Sequence, residues 1–271
     1  MQLRNYQNGK TVTPHADTLN TMAKNFRDRI DGGGVLTVDM LINDEVSVVQ
    51  FCGALKLKPE IADEAICRGA LLQNGPCADF RMSSELEAGR IFRQFRGFYK
   101  VYRLHDPWND KPRVLSMPLW VRRPVKNGGN SWQIASSMSV PAIVPGDVKS
   151  FAYLGVSTHG RDYVDWRFTQ QPDAGDMFAA RQDSIDLKVG NEFSKGGHSQ
   201  RLGWLMTLSQ GKRRDIFSRP VVMRMVNPDV RPTIDQGLNF LLEAEVMRPG
   251  READEIVDLL RSYSADQDGT C

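Results

Sequence analysis

The sequence predicts an α+β fold: an N-terminal helical module, then a mainly antiparallel β domain, then C-terminal helices. Three observations lead to this prediction. Apolar residues recur at helical spacing in the first third of the chain, β-rich runs separated by turn residues fill the middle, and helical spacing returns in the tail. The predicted boundaries are a flexible arm over residues 1–17, a helical module over 18–96, a β-rich domain over 97–230 and helices over 231–263.

The helical module is predicted from apolar periodicity and from residues that start or stop helices. A first helix over 16–30 ends at three consecutive glycines. Two short helices over 46–56 and 59–72 follow, and a proline fits the first turn of the second because its missing N–H is not needed there. Ser84 lies three residues before Glu87, as in a capping box, and predicts the start of a last helix in this module.

The β-rich domain is predicted from eight runs of β-branched and aromatic residues. Turn clusters such as Asn127-Gly128-Gly129-Asn130 separate the runs, and these residue types favour tight turns. Eight strands at this spacing are typical of an antiparallel sandwich, a barrel or a curved sensor-like sheet. The runs cover residues 98–105, 113–123, 131–139, 151–157, 163–169, 184–189, 202–208 and 216–226.

The tail is predicted to form two helices, over 233–247 and 252–263. Leucine, isoleucine and valine recur at helical spacing in both segments, and Pro249-Gly250 separates them. We expect these helices to cover the β-rich domain or to mediate a dimer.

Composition places the chain among cytoplasmic globular proteins with no membrane partner. No stretch approaches the ~20 apolar residues that a spanning helix needs, and the N-terminus has no apolar core of a signal peptide. The four cysteines contain no Cys-x-x-Cys pair, which is typical of free thiols in a reducing compartment. No two of the four histidines are spaced as helical metal ligands, so no metal site is predicted.

Charge is distributed unevenly along the chain although the net charge is only +2. Residues 90–126 have a net charge of +8 and residues 195–224 one of +6, whereas residues 36–89 and 231–271 each have −5. This pattern has two interpretations of equal weight. The basic middle binds an anionic partner, or acidic helices dock on a basic sheet within the same molecule.

The most distinctive segment is RIFRQFRGFYKVYRLHD, residues 90–106, in which aromatic and basic side chains alternate. This mixture suits single-stranded nucleic acid or an anionic small molecule, because bases stack on rings and phosphates pair with cations. The alternative is structural: the rings belong to the core, with Phe98 and Tyr102 on one strand face and Tyr99 and Val101 on the other. The predicted binding residues are Arg93, Arg96, Tyr99, Lys100, Tyr102 and Arg103, joined by Lys212, Arg213 and Arg214.

The helices over 46–56 and 59–72 have the lengths and spacing of a helix-turn-helix. The second helix opens with three carboxylates, Glu60, Asp63 and Glu64, which phosphates would repel, so we expect that this helix does not read DNA.

Residues 36–226 resemble bacterial helix-turn-helix transcriptional regulators that carry a β-rich, sensor-like C-terminal domain. The resemblance rests on the order of the elements and on three segments, RGFYKVYRLHDPW, YLGVSTHGRDYVDWRF and RLGWLMTLSQGKRRDIFSRPVVMR. The resemblance implies transcription regulation, DNA binding by the helical module and ligand binding by the β-rich domain. The acidic second helix departs from this pattern.

The leading functional hypothesis is a non-catalytic regulatory or binding protein whose basic face takes an anionic ligand, nucleic acid or a partner protein. The chain lacks the Gly-rich phosphate loop, the dinucleotide fingerprint and the Gly-x-Ser-x-Gly motif, so no cofactor is predicted. One rival is a hydrolase-type enzyme around His159, Arg161 and Asp162. The other is an assembly or structural protein, including a viral one, that forms homo-oligomers through its charge blocks.

Overall fold

The computed structural model divides the chain into two compact units, Met1–Ile66 with Ala174–Met177, and Cys67–Asp173 with Phe178–Cys271. It describes residues 17, 20–21, 23–25, 58, 60–61, 63–64, 67, 84–107, 109–127, 131–144, 147–159, 163–171, 184–190, 200–208, 216–226 and 233–268.

The first unit contributes only a few described residues, and those at positions 17, 20–21, 23–25, 60–61 and 63–64 have helical backbone. In the first of these stretches the hydroxyl of Thr21 donates to the carbonyl oxygen of Asp17, at 2.7 Å. The helix predicted over 46–56, and all of the predicted arm over 1–17 except Asp17, lie outside the described residues.

The second unit consists of a long series of strands with three helices. The described elements are α1 (Glu85–Phe95), β1 (Gly97–Leu104), β2 (Val114–Asn127), β3 (Ser131–Val144), β4 (Asp147–His159), β5 (Tyr163–Gln170), β6 (Ser184–Gly190), β7 (Gln200–Leu208), β8 (Ile216–Met225), α2 (Ile234–Leu241), β9 (Glu245–Val246) and α3 (Arg251–Asp268).

Strands β1 to β8 form a closed antiparallel barrel. Each strand pairs with the next along the chain, and β8 pairs back onto β1 with Tyr102 opposite Val222. The two-residue strand β9 adds to the start of β2, where Leu115 lies opposite Val246. Closure removes the free edges that an open sheet of this length would expose.

The predicted α+β fold is therefore wrong. The described residues form mainly an eight-stranded barrel with few short helices, and they contain no N-terminal helical module. The eight predicted β-rich runs each overlap one of β1 to β8. The error lies in treating α1 as part of a separate module, because its residues Ile91 and Phe95 belong to the same core as the strands.

Side chains fill the interior of the barrel. A barrel of eight strands is just wide enough for side chains to occupy its interior. Inward-facing residues alternate along every strand, and the largest include Trp166 and Phe168, both at most 1% exposed. The indole Nε1–H of Trp166 donates to the hydroxyl of Ser136 at 3.2 Å, which satisfies a polar group deep in this core.

Helix α1 leads directly into β1 through a sharp change of backbone direction. Ser84 caps the helix by accepting from the Glu87 N–H at 3.2 Å. Gly97 then adopts a φ of 126°, a conformation that side-chain-bearing residues rarely take. This turn places the last helical residue, Phe95, over the end of the barrel where β1 begins.

The C-terminal helices lie against the outer surface of the barrel. The single helix predicted over 233–247 is shorter than expected, because α2 ends at Leu241 and β9 follows. Phe240 of α2 stacks on Phe98 of β1, with ring centroids 4.7 Å apart. Helix α3 covers β8 and β1 through the fully buried side chains of Ile256 and Leu260.

None of the described helices is both long enough and apolar enough to cross a lipid bilayer.

Candidate functional site

The structure disperses the predicted binding residues of β1 instead of bringing them to one surface. Strand alternation places Tyr99 and Val101 in the barrel interior and Phe98 and Tyr102 on its outside, which is the structural alternative given above. Tyr99 is 1% exposed and therefore inaccessible to a base. Burial raises the pKa of its phenol far above the usual value, and the nearby Arg201 only partly opposes that effect.

The outward residues of β1 are covered by the C-terminal segment. Tyr102 is 4% exposed and packs in an apolar cluster with Ile256 and Leu260 of α3. The ammonium of Lys100 lies 3.4 Å from the carboxylate of Glu243, just beyond α2. Neither side chain presents an open binding surface.

Two ion pairs show that acidic residues of the tail dock on basic residues of the barrel. Lys100 pairs with Glu243, and Arg224 of β8 lies 4.0 Å from Glu252 of α3. For these residues, the acidic tail therefore pairs with the basic barrel of the same molecule, as in the interpretation that acidic helices dock on a basic sheet.

The remaining predicted residues divide into three groups. Arg93 and Arg96 are exposed at the end of α1, and Arg103 points into the barrel at the opposite end. Lys212, Arg213 and Arg214 lie outside the described residues, so their role stays a prediction.

A groove of about 770 Å³ runs between α1 and the ends of β2 and β3. Among the described residues, Arg93 is the only predicted binding residue on its walls. The groove is lined by Glu85, Leu86, Gly89, Arg93, Arg123, Pro124 and Trp132.

Two arginines and an indole give this groove its chemical character. Arg93 comes from α1 and Arg123 from β2, and neither forms an ion pair with another described residue. Trp132 of β3 is partly exposed beside them, and the exposed Lys126 lies directly opposite it across the strand pair. Guanidinium groups bind phosphates and carboxylates through paired N–H donors, and an indole offers a flat apolar face.

Gly89 keeps the helix side of the groove open. Among the described residues, a Cβ at this position would meet no atom closer than the Arg93 Nη1, at 3.8 Å. A larger side chain here would therefore project into the groove without disturbing the barrel.

The acidic residues of α1 lie in its first turn, away from Arg93 in its last turn. Glu85 and Glu87 interact favourably with the partial positive charge at the helix N-terminus. One end of the groove is thus acidic, and the cationic residues are gathered toward the other end.

The sequence pattern did not indicate Arg123, Lys126 or Trp132 as binding residues. The signal available was the Asn127–Asn130 turn, which predicts a hairpin and so places Lys126 opposite Trp132. Nothing in the local pattern connects that hairpin with α1, because their contact depends on how the barrel closes.

A second groove, of about 680 Å³, lies between the start of β2, β9 and α3. Its floor is apolar, and its rim carries both charges, with Asp254, Asp258 and Arg261 on the helix side. Arg261 also donates to the carbonyl oxygen of Asn109 at 3.1 Å, which fixes one wall. This balanced rim selects neither anions nor cations.

The rival enzyme site is only partly visible. The backbone of His159 ends β4, while its side chain and residues 160–162 lie outside the described residues, so this site stays a prediction. Near it on β5, burial raises the pKa of Asp165, and Lys188 opposes this shift. In the described part of the chain no three His, Cys, Asp or Glu side chains are grouped to hold a metal ion.

The helix-turn-helix and DNA-binding assignments are corrected by the fold. Only residues 58, 60–61, 63–64 and 67 of the predicted motif are described, and the described chain is a β-barrel. The resemblance to transcriptional regulators itself stays untested.

The second unit is a closed antiparallel barrel with a basic, indole-containing groove beside α1. No family model and no curated protein matches this chain.

Proposed function

We propose that this chain is a non-catalytic binding protein whose groove beside α1 binds single-stranded RNA. The observation that carries the proposal is the placement of Arg93, Arg123 and Trp132 on the walls of one open groove. Side chains fill the interior of the barrel, so we place the ligand in the groove beside α1.

Each of these residues makes one kind of contact with the RNA. Arg93 and Arg123 pair with successive phosphates, since a guanidinium offers a rigid fork of donors to phosphate oxygens. Trp132 stacks on a base between them, an interaction of roughly 1–3 kcal/mol per base. Lys126, opposite Trp132, adds a third cation along the same path.

A single strand fits this chemistry better than a duplex does. Bases in a duplex are stacked on one another and present only their edges, whereas unpaired bases are free to lie on an aromatic ring. Leu86, 81% exposed at the groove, adds apolar surface that an unstacked base is able to cover.

The test is a titration of a labelled oligouridylate of roughly 12 nucleotides, a length typical of such sites, followed by fluorescence anisotropy at several salt concentrations. Each lost phosphate contact is expected to reduce the slope of log affinity against log salt by about 0.7. Arg93→Gln and Arg123→Gln should each do so, and Trp132→Leu should weaken binding at all salt concentrations. Arg251→Gln is the matched control, because this arginine on α3 has a side chain that is 93% exposed.

A second variant tests the groove without removing any charge. Gly89→Leu fills the helix side of the groove and should weaken RNA binding while the melting temperature stays the same or rises. If Gly89→Leu and the two arginine variants all bind RNA as the unmodified chain does, the ligand does not lie in this groove. Absence of RNA binding at low salt, with capture of an acidic peptide instead, would favour a protein partner.

We also propose a cytoplasmic location. The four cysteines include no Cys-x-x-Cys pair, a pattern typical of a protein in a reducing compartment. Fractionation of expressing cells tests this, and recovery of the protein mainly with a membrane fraction would contradict it.

A further inference from the structure

Helix α1 carries a carboxylate, a gap and a guanidinium in one line along the groove beside it. Glu85, Gly89 and Arg93 are spaced four residues apart, which places them one above another on the same face of the helix. All three line the groove. At a rise of about 1.5 Å per residue, the Cα atoms of Glu85 and Arg93 are about 12 Å apart, with Gly89 midway between them.

Glu85 places a carboxylate in a groove whose other charged lining residues are the cations Arg93 and Arg123. Glu85 is exposed, and it forms no hydrogen bond or ion pair with another described residue. A carboxylate repels the phosphate backbone and weakens RNA binding unless it makes a favourable contact of its own. The groups of RNA that such an acceptor is able to bind are the hydrogen-bond donors on the edges of the bases.

The groove leaves room for a flat base between Gly89 and the strands. Trp132 lines the strand side and is partly exposed. On the helix side, outside the backbone of α1 itself, no described atom lies closer than 3.8 Å to the position that a Cβ of Gly89 would take. A base that stacks on Trp132 is therefore able to approach the helix backbone closely. In this pose its phosphate lies toward Arg93 and its outer edge toward Glu85.

We propose that Glu85 selects guanine at the position where a base stacks on Trp132, an inference that rests on the RNA binding proposed above. Guanine carries two neighbouring donors, N1–H and the N2 amino group, on its Watson–Crick edge. The two oxygens of a carboxylate accept both donors in parallel, as they accept the paired donors of an arginine. Unpaired bases of single-stranded RNA leave this edge free to be bound.

The other three bases offer this carboxylate a poorer partner. Adenine and cytosine each place one amino donor beside a ring nitrogen that is an acceptor, and uracil places its single N3–H between two carbonyl oxygens. A carboxylate oxygen repels an acceptor that faces it, and one hydrogen bond replaces two. The preference therefore has two sources, an additional contact with guanine and a repulsive contact with its competitors.

Glu87 provides a matched control on the same turn of α1. Both acids lie in the first turn of the helix, where both interact favourably with the helix dipole. Of the two, only Glu85 lines the groove. If Glu85 served the helix alone, removing either acid would have the same effect on RNA binding, whereas base recognition requires Glu85.

The experiment uses oligouridylates of roughly 12 nucleotides that carry guanosine, inosine, adenosine or cytidine at one central position, with the unsubstituted oligouridylate as reference. Fluorescence anisotropy at one salt concentration gives the five affinities of the full chain. We expect the guanosine oligomer to bind about 5- to 150-fold more tightly than the reference, the range for a paired contact with a base edge. Inosine differs from guanosine only in lacking the N2 amino group, so its oligomer should lie between the two.

Glu85→Ala should change these affinities in opposite directions. The guanosine oligomer loses its contact and should bind more weakly, with an affinity equal to that of the inosine oligomer. The reference should bind as tightly as before or more tightly, because a repulsion of phosphates is removed. Glu87→Ala should leave the preference for guanosine unchanged.

Failure of this inference is distinct from failure of the RNA-binding proposal. Five equal affinities that still decrease in Arg93→Gln and Trp132→Leu would keep the groove as an RNA site and overturn the selection of guanine. A preference for guanosine that survives Glu85→Ala would overturn the role of Glu85. If none of the five oligomers binds at low salt, both proposals are wrong.

Discussion

The ring of Phe95 meets the indole of Trp166 edge to face, with centroids 5.6 Å apart and an interplanar angle of 73°. The guanidinium of Arg201 also lies over the Phe95 ring, 4.1 Å from its centroid. One residue at the end of α1 thus fixes the helix to the barrel interior and shields a buried cation. The position of the groove beside α1 depends on this contact.

Phe95→Ala should therefore destabilise the protein by about 3–5 kcal/mol, as for a large aromatic residue removed from a core. The free energy of unfolding in urea is the measurement. Leu86→Ala on the same helix is the control, because Leu86 is 81% exposed and should change stability by no more than about 0.5 kcal/mol. Equal effects of the two substitutions would show that α1 is not anchored through Phe95.

Two glycines in helices should respond in opposite directions to the same substitution. At Gly237 of α2 a Cβ would lie 2.5 Å from the Trp120 ring, which is buried and does not yield easily. Gly237→Ala should lower stability by about 1–3 kcal/mol, since overpacking outweighs the helix-propensity gain. A Cβ at Gly89 meets no described atom closer than 3.8 Å, so Gly89→Ala should raise stability by about 0.5–1 kcal/mol. Urea unfolding of both variants checks this, and a stabilised Gly237→Ala would contradict the close contact with Trp120.

The strands were predictable from the sequence because their signal is local. Alternation correctly placed Tyr99 and Tyr102 on opposite faces of β1, and turn residues marked the ends of the strands. Closure was not predictable, because β1 pairs with β8 more than a hundred residues away, and no local pattern encodes that pairing.

The candidate site depended on this closure. The aromatic and basic pattern of β1 resembled a binding surface, but both faces of the strand are covered. One face belongs to the barrel core, and the C-terminal helices pack on the other.

Helix α3 should be held to the barrel by apolar contacts more than by charge. Ile256 is fully buried beneath it, whereas the Glu252 side chain is 63% exposed and lies 4.0 Å from Arg224. Ile256→Ala should cost about 2–5 kcal/mol, and Glu252→Gln less than about 1 kcal/mol. Unfolding in urea at low and at high salt measures both. A large, salt-sensitive loss in Glu252→Gln would instead show that the acidic tail docks mainly by electrostatics.

Tyr102 should make stability fall in alkali. Burial raises the pKa of its phenol to about 12, the carboxylate of Glu252 adds to the rise, Arg224 opposes it, and Glu245 adds a smaller increase. In the unfolded chain the phenol ionises near its usual pKa of about 10. Between these two values the unfolded chain binds fewer protons than the folded one, so stability decreases as the pH rises. The contribution is complete below pH ~10 and is lost as the pH approaches the folded value.

The variant Tyr102→Phe isolates this contribution, because it keeps the ring and removes the proton. Its unfolding free energy should fall less steeply than that of the unmodified chain between pH ~10 and ~12, while Tyr99, whose pKa is also raised, keeps part of the slope in both proteins. Because only one proton is involved, the two slopes differ by at most about 1.4 kcal/mol per pH unit. Solvent at the edge of α3 reduces this difference further. Urea unfolding at closely spaced pH values gives the two slopes. Parallel curves would mean that α3 does not cover Tyr102 in solution, and the docking of the C-terminal helix on β1 would then have to be revised.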